Sequence, residues 1–191
     1  PELIERGHVF IAQPPLYKVT KGKHGRYLKD QSEMDAYLIE EGVSEATLDL
    51  SDGERRTGMD LQGLTREAKA FKAGVDRLAQ RAPAFAIEQA ALGGLFDENA
   101  AVDQGLLDRV STGLDRYAEE GDGPWSGAPG DQGAVVFNRV RRAVAETIVL
   151  EEALIRSLDA RRLGERAHAF DGVFDVPATY RRKDRSAEIR G

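Results

Sequence analysis

Between Leu61 and Ala82, seven apolar residues (Leu61, Leu64, Ala68, Phe71, Val75, Leu78 and Ala82) recur at alternating intervals of three and four. That spacing puts them on one stripe of a long helix and on both faces of a strand, so only the helix buries them together. Pro83 ends the seam, because proline lacks an amide hydrogen and its ring collides with the preceding turn. Three heptads are short for a dimerising coiled coil, so the stripe is expected to pack against neighbours in its own chain. Those neighbours follow directly. Phe85, Ile87, Ala91, Leu92 and Leu95 outline a second, shorter helix. Asn99–Glu120 outlines a third, with Val102, Leu106, Val110, Leu114 and Tyr117 on one face, stopped by Gly121-Asp122-Gly123-Pro124. A local antiparallel bundle from Leu61 to Tyr117 is the expected result.

Strands flank this bundle. Ala46–Leu50 alternates and ends at the turn signal Ser51-Asp52-Gly53; before it, Asp30 or Ser32 caps a helix carrying Met34, Tyr37 and Leu38, stopped by Gly42. Beyond the bundle, Trp125 opens a strand and Pro129–Gly133 is a loop. Ala134–Val140 and Arg141–Leu150 read as two more strands. Glu151–Ala169 reads as a helix with Leu154, Leu158, Leu163 and Ala167 inward. Tyr180–Lys183 and Ala187–Arg190 then form a hairpin around Asp184-Arg185-Ser186. Strands, helices and strands in blocks predict an α+β fold rather than a doubly wound one.

The N-terminal stretch differs in character. His8–Gln13 carries apolar residues at both parities, the mark of a strand buried on two faces, and Pro14-Pro15 interrupts it. Leu16–Thr20 resumes as a strand, Gly22 and Gly25 supply a turn, and Arg26–Lys29 returns as its hairpin partner. The run from Pro1 to Val19, with His8-Val9-Phe10-Ile11-Ala12-Gln13-Pro14-Pro15-Leu16-Tyr17-Lys18-Val19 at its heart, resembles the closing part of the TOPRIM domain in the gyrase B family of type IIA topoisomerases. The later Tyr180-Arg181-Arg182 and Ile189-Arg190-Gly191 resemble, more loosely, the end of an insertion carried by many Gram-negative members. The resemblance implies residues 1–42 as the C-terminal part of a TOPRIM domain and 43–191 as an α+β insertion domain with a helical bundle and a small antiparallel sheet. It implies a segment of an ATP-dependent, magnesium-dependent enzyme that supercoils DNA in the bacterial cytoplasm as an A2B2 assembly with the A subunit of DNA gyrase. The metal carboxylates and nucleotide site are then expected outside this chain, leaving the segment itself without ATP, magnesium or catalytic residues. Pro1 in place of an initiator Met points the same way. The alternatives are the B subunit of topoisomerase IV, or an independent α+β module binding nucleic acid or protein.

Charge is unevenly placed along the chain. The net charge is −6, yet residues 1–29 carry six Lys/Arg against Glu2 and Glu5, and residues 176–191 carry five against Asp184 and Glu188. The intervening body is therefore far more acidic than the whole, and polyphosphate is drawn to the two ends. Lys18, Lys21, Lys23, His24 and Arg26 surround the first glycine turn, and Arg181, Arg182 and Lys183 lie in the last hairpin. Both groups are candidates for DNA phosphate contact; a soluble, charge-protected hairpin is the alternative. His8, His24 and His168 lack zinc-site spacing, and Glu40-Glu41, Glu119-Glu120 and Glu151-Glu152 read as solvated pairs, so no metal site is expected. Gly22-Lys23-His24-Gly25 lacks the P-loop pattern. No cysteine is present, and no apolar run approaches the roughly 20 residues of a membrane helix, so no membrane partner is expected.

Overall fold

A computed structural model describes residues 2–8, 12, 14–50, 52–173, 178–183 and 185–189. The chain divides into two units, Pro1–Ser44 and Glu45–Gly191.

The first unit opens with a single helical turn, α1 (Glu2–Glu5). The expected strand over His8–Gln13 falls mostly outside the described residues. β1 (Tyr17–Lys21) and β2 (His24–Leu28) form an antiparallel hairpin in register from Tyr17↔Leu28 to Lys21↔His24. Gly22 and Lys23 are its two-residue turn, and Gly22 takes the first central position at φ +62°, where glycine is at ease. α2 (Gln31–Val43) follows. Asp30 caps it, Oδ1 accepting from the Glu33 amide at 2.9 Å, while Glu33 reaches back to the Lys29 amide at 2.9 Å. Leu28 is fully buried, and the Tyr17 hydroxyl donates to Gln31 at 2.7 Å. Gly42 does not stop α2. The helix runs on to Val43, and the left-handed residue that turns the chain is Glu45 at φ 58°. Leu38 is exposed.

The second unit begins with β3 (Ala46–Asp49) and β4 (Arg55–Thr57), an antiparallel pair. α3 (Gly58–Leu78) follows β4 directly and carries the long seam, with Leu61, Phe71, Val75 and Leu78 buried. α4 (Ala84–Leu92) starts after Pro83, and α5 (Gln104–Asp115) lies against it. β5 (Ser126–Pro129), β6 (Val135–Arg141) and β7 (Val144–Leu150) make a three-stranded antiparallel sheet. Two helices, α6 (Glu152–Ile155) and α7 (Leu158–Ala167), precede the hairpin β8 (Ala178–Arg182) and β9 (Arg185–Ile189). β8 returns to pair with β3, giving a second sheet of order β4-β3-β8-β9. The fold is α+β, as expected, with two small sheets in this unit rather than one.

The core joins α3, α4, α5 and α7 to the inner face of β5–β7, through Phe71, Ile87, Val110, Phe137, Leu150 and Leu163. α3 packs on α7 so closely that a Cβ on Gly74 would stand 2.8 Å from Leu163 Cδ1. The seam therefore packs within its own chain.

Several boundaries differ from expectation for local reasons. The third helix covers only Gln104–Asp115, because Asp103 accepts the Leu106 amide at 2.8 Å at one end and Asp115 takes the Trp125 amide at 2.7 Å at the other. Val102 and Tyr117 lie outside it and are exposed. The expected Glu151–Ala169 helix breaks where Ser157 caps α7 through the Ala160 amide at 3.2 Å, leaving Leu158 exposed and Ala160 inward. β7 starts only at Val144, since Arg142 and Ala143 form a turn at φ 50° and 65°. In the last hairpin Arg182 faces Arg185, so Arg185 and Ser186 belong to β9 rather than to the turn.

Candidate nucleic-acid interface

The hairpin register sorts the five cationic residues of the first unit. Lys21, His24 and Arg26 share the face of Tyr17 and Leu28, which α2 covers in part. Lys18 lies on the opposite, open face, its ammonium 5.4 Å from the centre of the Tyr27 ring. Lys23 stands in the turn. Lys21 Nζ pairs with Glu41 of α2, so one cation is already matched inside the unit. Lys23, His24 and Arg26 are exposed and make no ion pair among the described residues. The structure thus gathers Lys18, Lys21, Lys23, His24 and Arg26 on one short hairpin.

The second basic group is arranged differently. Arg181 Nε lies 3.4 Å from Asp49 Oδ2, and Lys183 Nζ lies 3.4 Å from Glu45 Oε2; Arg182 is half-buried. Arg55 also hydrogen-bonds Asp49, and that bond, followed by the positive fields of Arg55 and Arg181, holds the Asp49 carboxyl below its usual range. Arg181 and Lys183 therefore offset acidic neighbours beside the β3–β8 pairing.

A charged cluster under the three-stranded sheet is absent from the sequence expectations. Arg139, 8 % exposed, lies 3.2 Å from Asp122, 1 % exposed, and 2.6 Å from Glu146, with its guanidinium 4.7 Å from the Trp125 ring centre. Arg141 adds contacts to Asp122 at 3.3 Å and Glu119 at 2.7 Å; these two carboxylates, Glu119 first, raise its proton affinity further. The sequence signal is parity. Arg139 and Arg141 fall on the same strand face as buried Val135 and Phe137, where a charge needs a partner. Among the described residues no His/Cys/Asp/Glu group is arranged to hold a metal ion, and no helix is long and apolar enough to cross a membrane.

A family model described as "GyrB, hook" matches residues 15–40, the hairpin and most of α2. The B subunit of DNA gyrase from Caulobacter vibrioides (strain NA1000 / CB15N) is 58% identical over 193 residues, covering 100% of this chain and 23% of the relative. Its counterpart from Rickettsia conorii (strain ATCC VR-613 / Malish 7) is 29% identical over 180 residues, 92% of this chain and 22% of the relative. That of Helicobacter pylori (strain J99 / ATCC 700824) is 42% identical over 79 residues, 41% of this chain and 10% of the relative. The chain spans less than a quarter of the length of these curated relatives.

Proposed function

From the match to the B subunit of DNA gyrase, which runs the whole length of this chain, we propose that the chain works as part of such a subunit. The enzyme is an ATP-dependent type IIA topoisomerase that supercoils DNA together with the gyrase A subunit. The observation that carries this reading is the 58% identity over the entire chain. The first unit is the end of the TOPRIM domain with its hook, and the second is the insertion; neither holds the chemistry. ATP and magnesium belong to parts of the enzyme outside this chain. The purified chain alone should neither relax nor supercoil plasmid nor hydrolyse ATP, and magnesium-dependent cleavage by it would overturn this assignment.

Within that reading, the β1–β2 hairpin is a phosphate contact. A short cationic turn has charge to offer but no rigid face with which to read bases. Lys23, His24 and Arg26 are exposed at or beside the turn, Lys18 is exposed on the open face, and Lys21 steadies the hairpin on α2 through Glu41. Arg181, Arg182 and Lys183 form a weaker second contact, because carboxylates already oppose Arg181 and Lys183. The test is Lys18→Gln, Lys23→Gln and Arg26→Gln together in the full-length protein, within the assembled gyrase. Binding should weaken equally on unrelated duplexes, and the slope of log affinity against log salt should shrink by up to about 0.9 per lost contact. An unchanged slope would reduce the hairpin to a solvated edge.

A further inference from the structure

α2 lies along the hairpin with its N-terminal end beside Tyr17, whose hydroxyl meets Gln31 at 2.7 Å, and its C-terminal end beside Lys21, whose ammonium meets Glu41. The lengths agree, since the helix from Gln31 to Glu41 and the strand from Tyr17 to Lys21 each span about 14–15 Å. α2 therefore ends next to the hairpin turn, and it ends acidic. Glu40 and Glu41 lie in its last turn, no basic residue does, and the open carbonyls of a helix C-terminus add partial negative charge there. Lys21, the last residue of β1 before the turn, is the cation that answers them. Its side chain stays 73 % exposed within this pair, so a phosphate arriving at the turn can reach the ammonium. Exposed pairs of this kind hold weakly and are screened by salt.

We infer that Glu41 is an internal rival of DNA phosphate: it holds Lys21 in the unbound hairpin and yields it when a duplex reaches the turn. This rests on the reading of the hairpin as a phosphate contact. Carboxylate and phosphate oxygens are acceptors of the same kind for an ammonium. The ammonium has three hydrogens to share, but a carboxylate and a phosphate crowded onto it repel each other. The Lys21–Glu41 pair must therefore loosen before Lys21 adds its charge to the contact, and the hairpin binds DNA less tightly than its cations alone would allow. The coupling is reciprocal: what Glu41 takes from DNA affinity, bound DNA takes from the hold of the hairpin on the end of α2. Lys23 and Arg26, exposed and without an ion pair among the described residues, meet the duplex without that opposition.

The measurement is binding of short duplexes of two unrelated sequences by the full-length protein within assembled gyrase, over a fourfold range of salt. Glu41→Gln should bind both duplexes more tightly, and its log affinity should fall more steeply with log salt by about 0.9, the mark of one added phosphate contact. Its gain over wild type should thus be about three- to fourfold larger at the lowest salt than at the highest. A pair that only braces the hairpin predicts the opposite sign, weaker binding once Glu41 is lost. Lys21→Gln separates release of Lys21 from a general loss of negative charge: it should cost little in wild type and abolish the gain in the Glu41→Gln protein. Glu40→Gln removes the same charge from an exposed neighbour with no ion pair among the described residues, and it should leave the slope unchanged. Weaker or unchanged binding by Glu41→Gln, an equal gain from Glu40→Gln, or an equal cost of Lys21→Gln in both backgrounds would overturn the inference. The combined Lys18→Gln, Lys23→Gln and Arg26→Gln variant keeps the two readings apart. If it loses affinity while Glu41→Gln gains none, the role of Glu41 alone falls; if it loses none, the phosphate contact and this inference fall together.

Discussion

Phe71 meets Phe170 edge-on, with ring centres 5.3 Å apart at 64°, and remains only 6 % exposed where α3 packs against the rest of its unit. Removing such a ring loses its transfer free energy and leaves a cavity that neighbours fill only in part. Phe71→Ala should therefore cost about 3–5 kcal/mol in denaturant melts, and a loss below about 1 kcal/mol would contradict the packing. Asp49 offers a pH test. Its folded-state carboxyl is held below the unfolded value, chiefly by the Arg55 hydrogen bond. The contribution it makes is fully present above the unfolded value and is lost as pH falls through the lowered folded one. Wild-type melts should thus lose this stability on acidification below about pH 4, and Asp49→Asn should flatten that part of the profile. Parallel pH profiles for the two proteins would show that the Arg55 and Arg181 contacts do not stabilise the sheet.

Turns decide several elements of this fold, and the β6–β7 hairpin is the clearest. Arg142 and Ala143 both adopt left-handed backbone, a conformation that matches the sheet's twist but strains a residue with a Cβ. Relief of about 1–2 kcal/mol at one position outweighs the roughly 0.4–1 kcal/mol of added unfolded-state freedom that glycine brings. Ala143→Gly should raise stability by about 0.5–1 kcal/mol, read as a higher denaturation midpoint; a lower midpoint would put the turn in another geometry. This turn also shows where sequence reasoning stops. The alternation through Val135–Arg141 and Val144–Leu150 is plain in the residues, yet nothing in Arg142-Ala143 announces a two-residue turn, because Asn-Gly chemistry is missing. Although α3 ends at Leu78, short of Ala82 and of the expected break at Pro83, which instead stands at the start of α4, its seam was legible for the opposite reason, since periodicity is a local property. The β3–β8 pairing was not, because it joins residues more than 120 positions apart. The charged candidates on the first hairpin were legible as a group, but their division between two faces depends on register. The pairing of Arg181 with Asp49 needed the sheet itself.

On the scale of the whole molecule, basic ends flank an acidic body, so the isolated chain should bind duplex DNA weakly and lose that binding steeply with salt. Band shifts at low and moderate ionic strength would check this; binding that survives moderate salt would require non-electrostatic contacts that a phosphate-touching hairpin does not supply. The two units also differ in what they bury. In the first, Leu28 and Val43 are the buried apolar residues among those described, while the second holds the large helix-and-sheet core. Trp125, the one tryptophan of the chain, belongs to the second unit, enclosed with Phe85 at 6.4 Å and with Arg139 against its ring. Its emission is therefore a built-in optical label for one of the two units. Light absorbed selectively by indole should report the opening of the second unit as a red shift and stay blind to unfolding of the hairpin and α2, which tyrosine absorbance or backbone dichroism would have to follow instead.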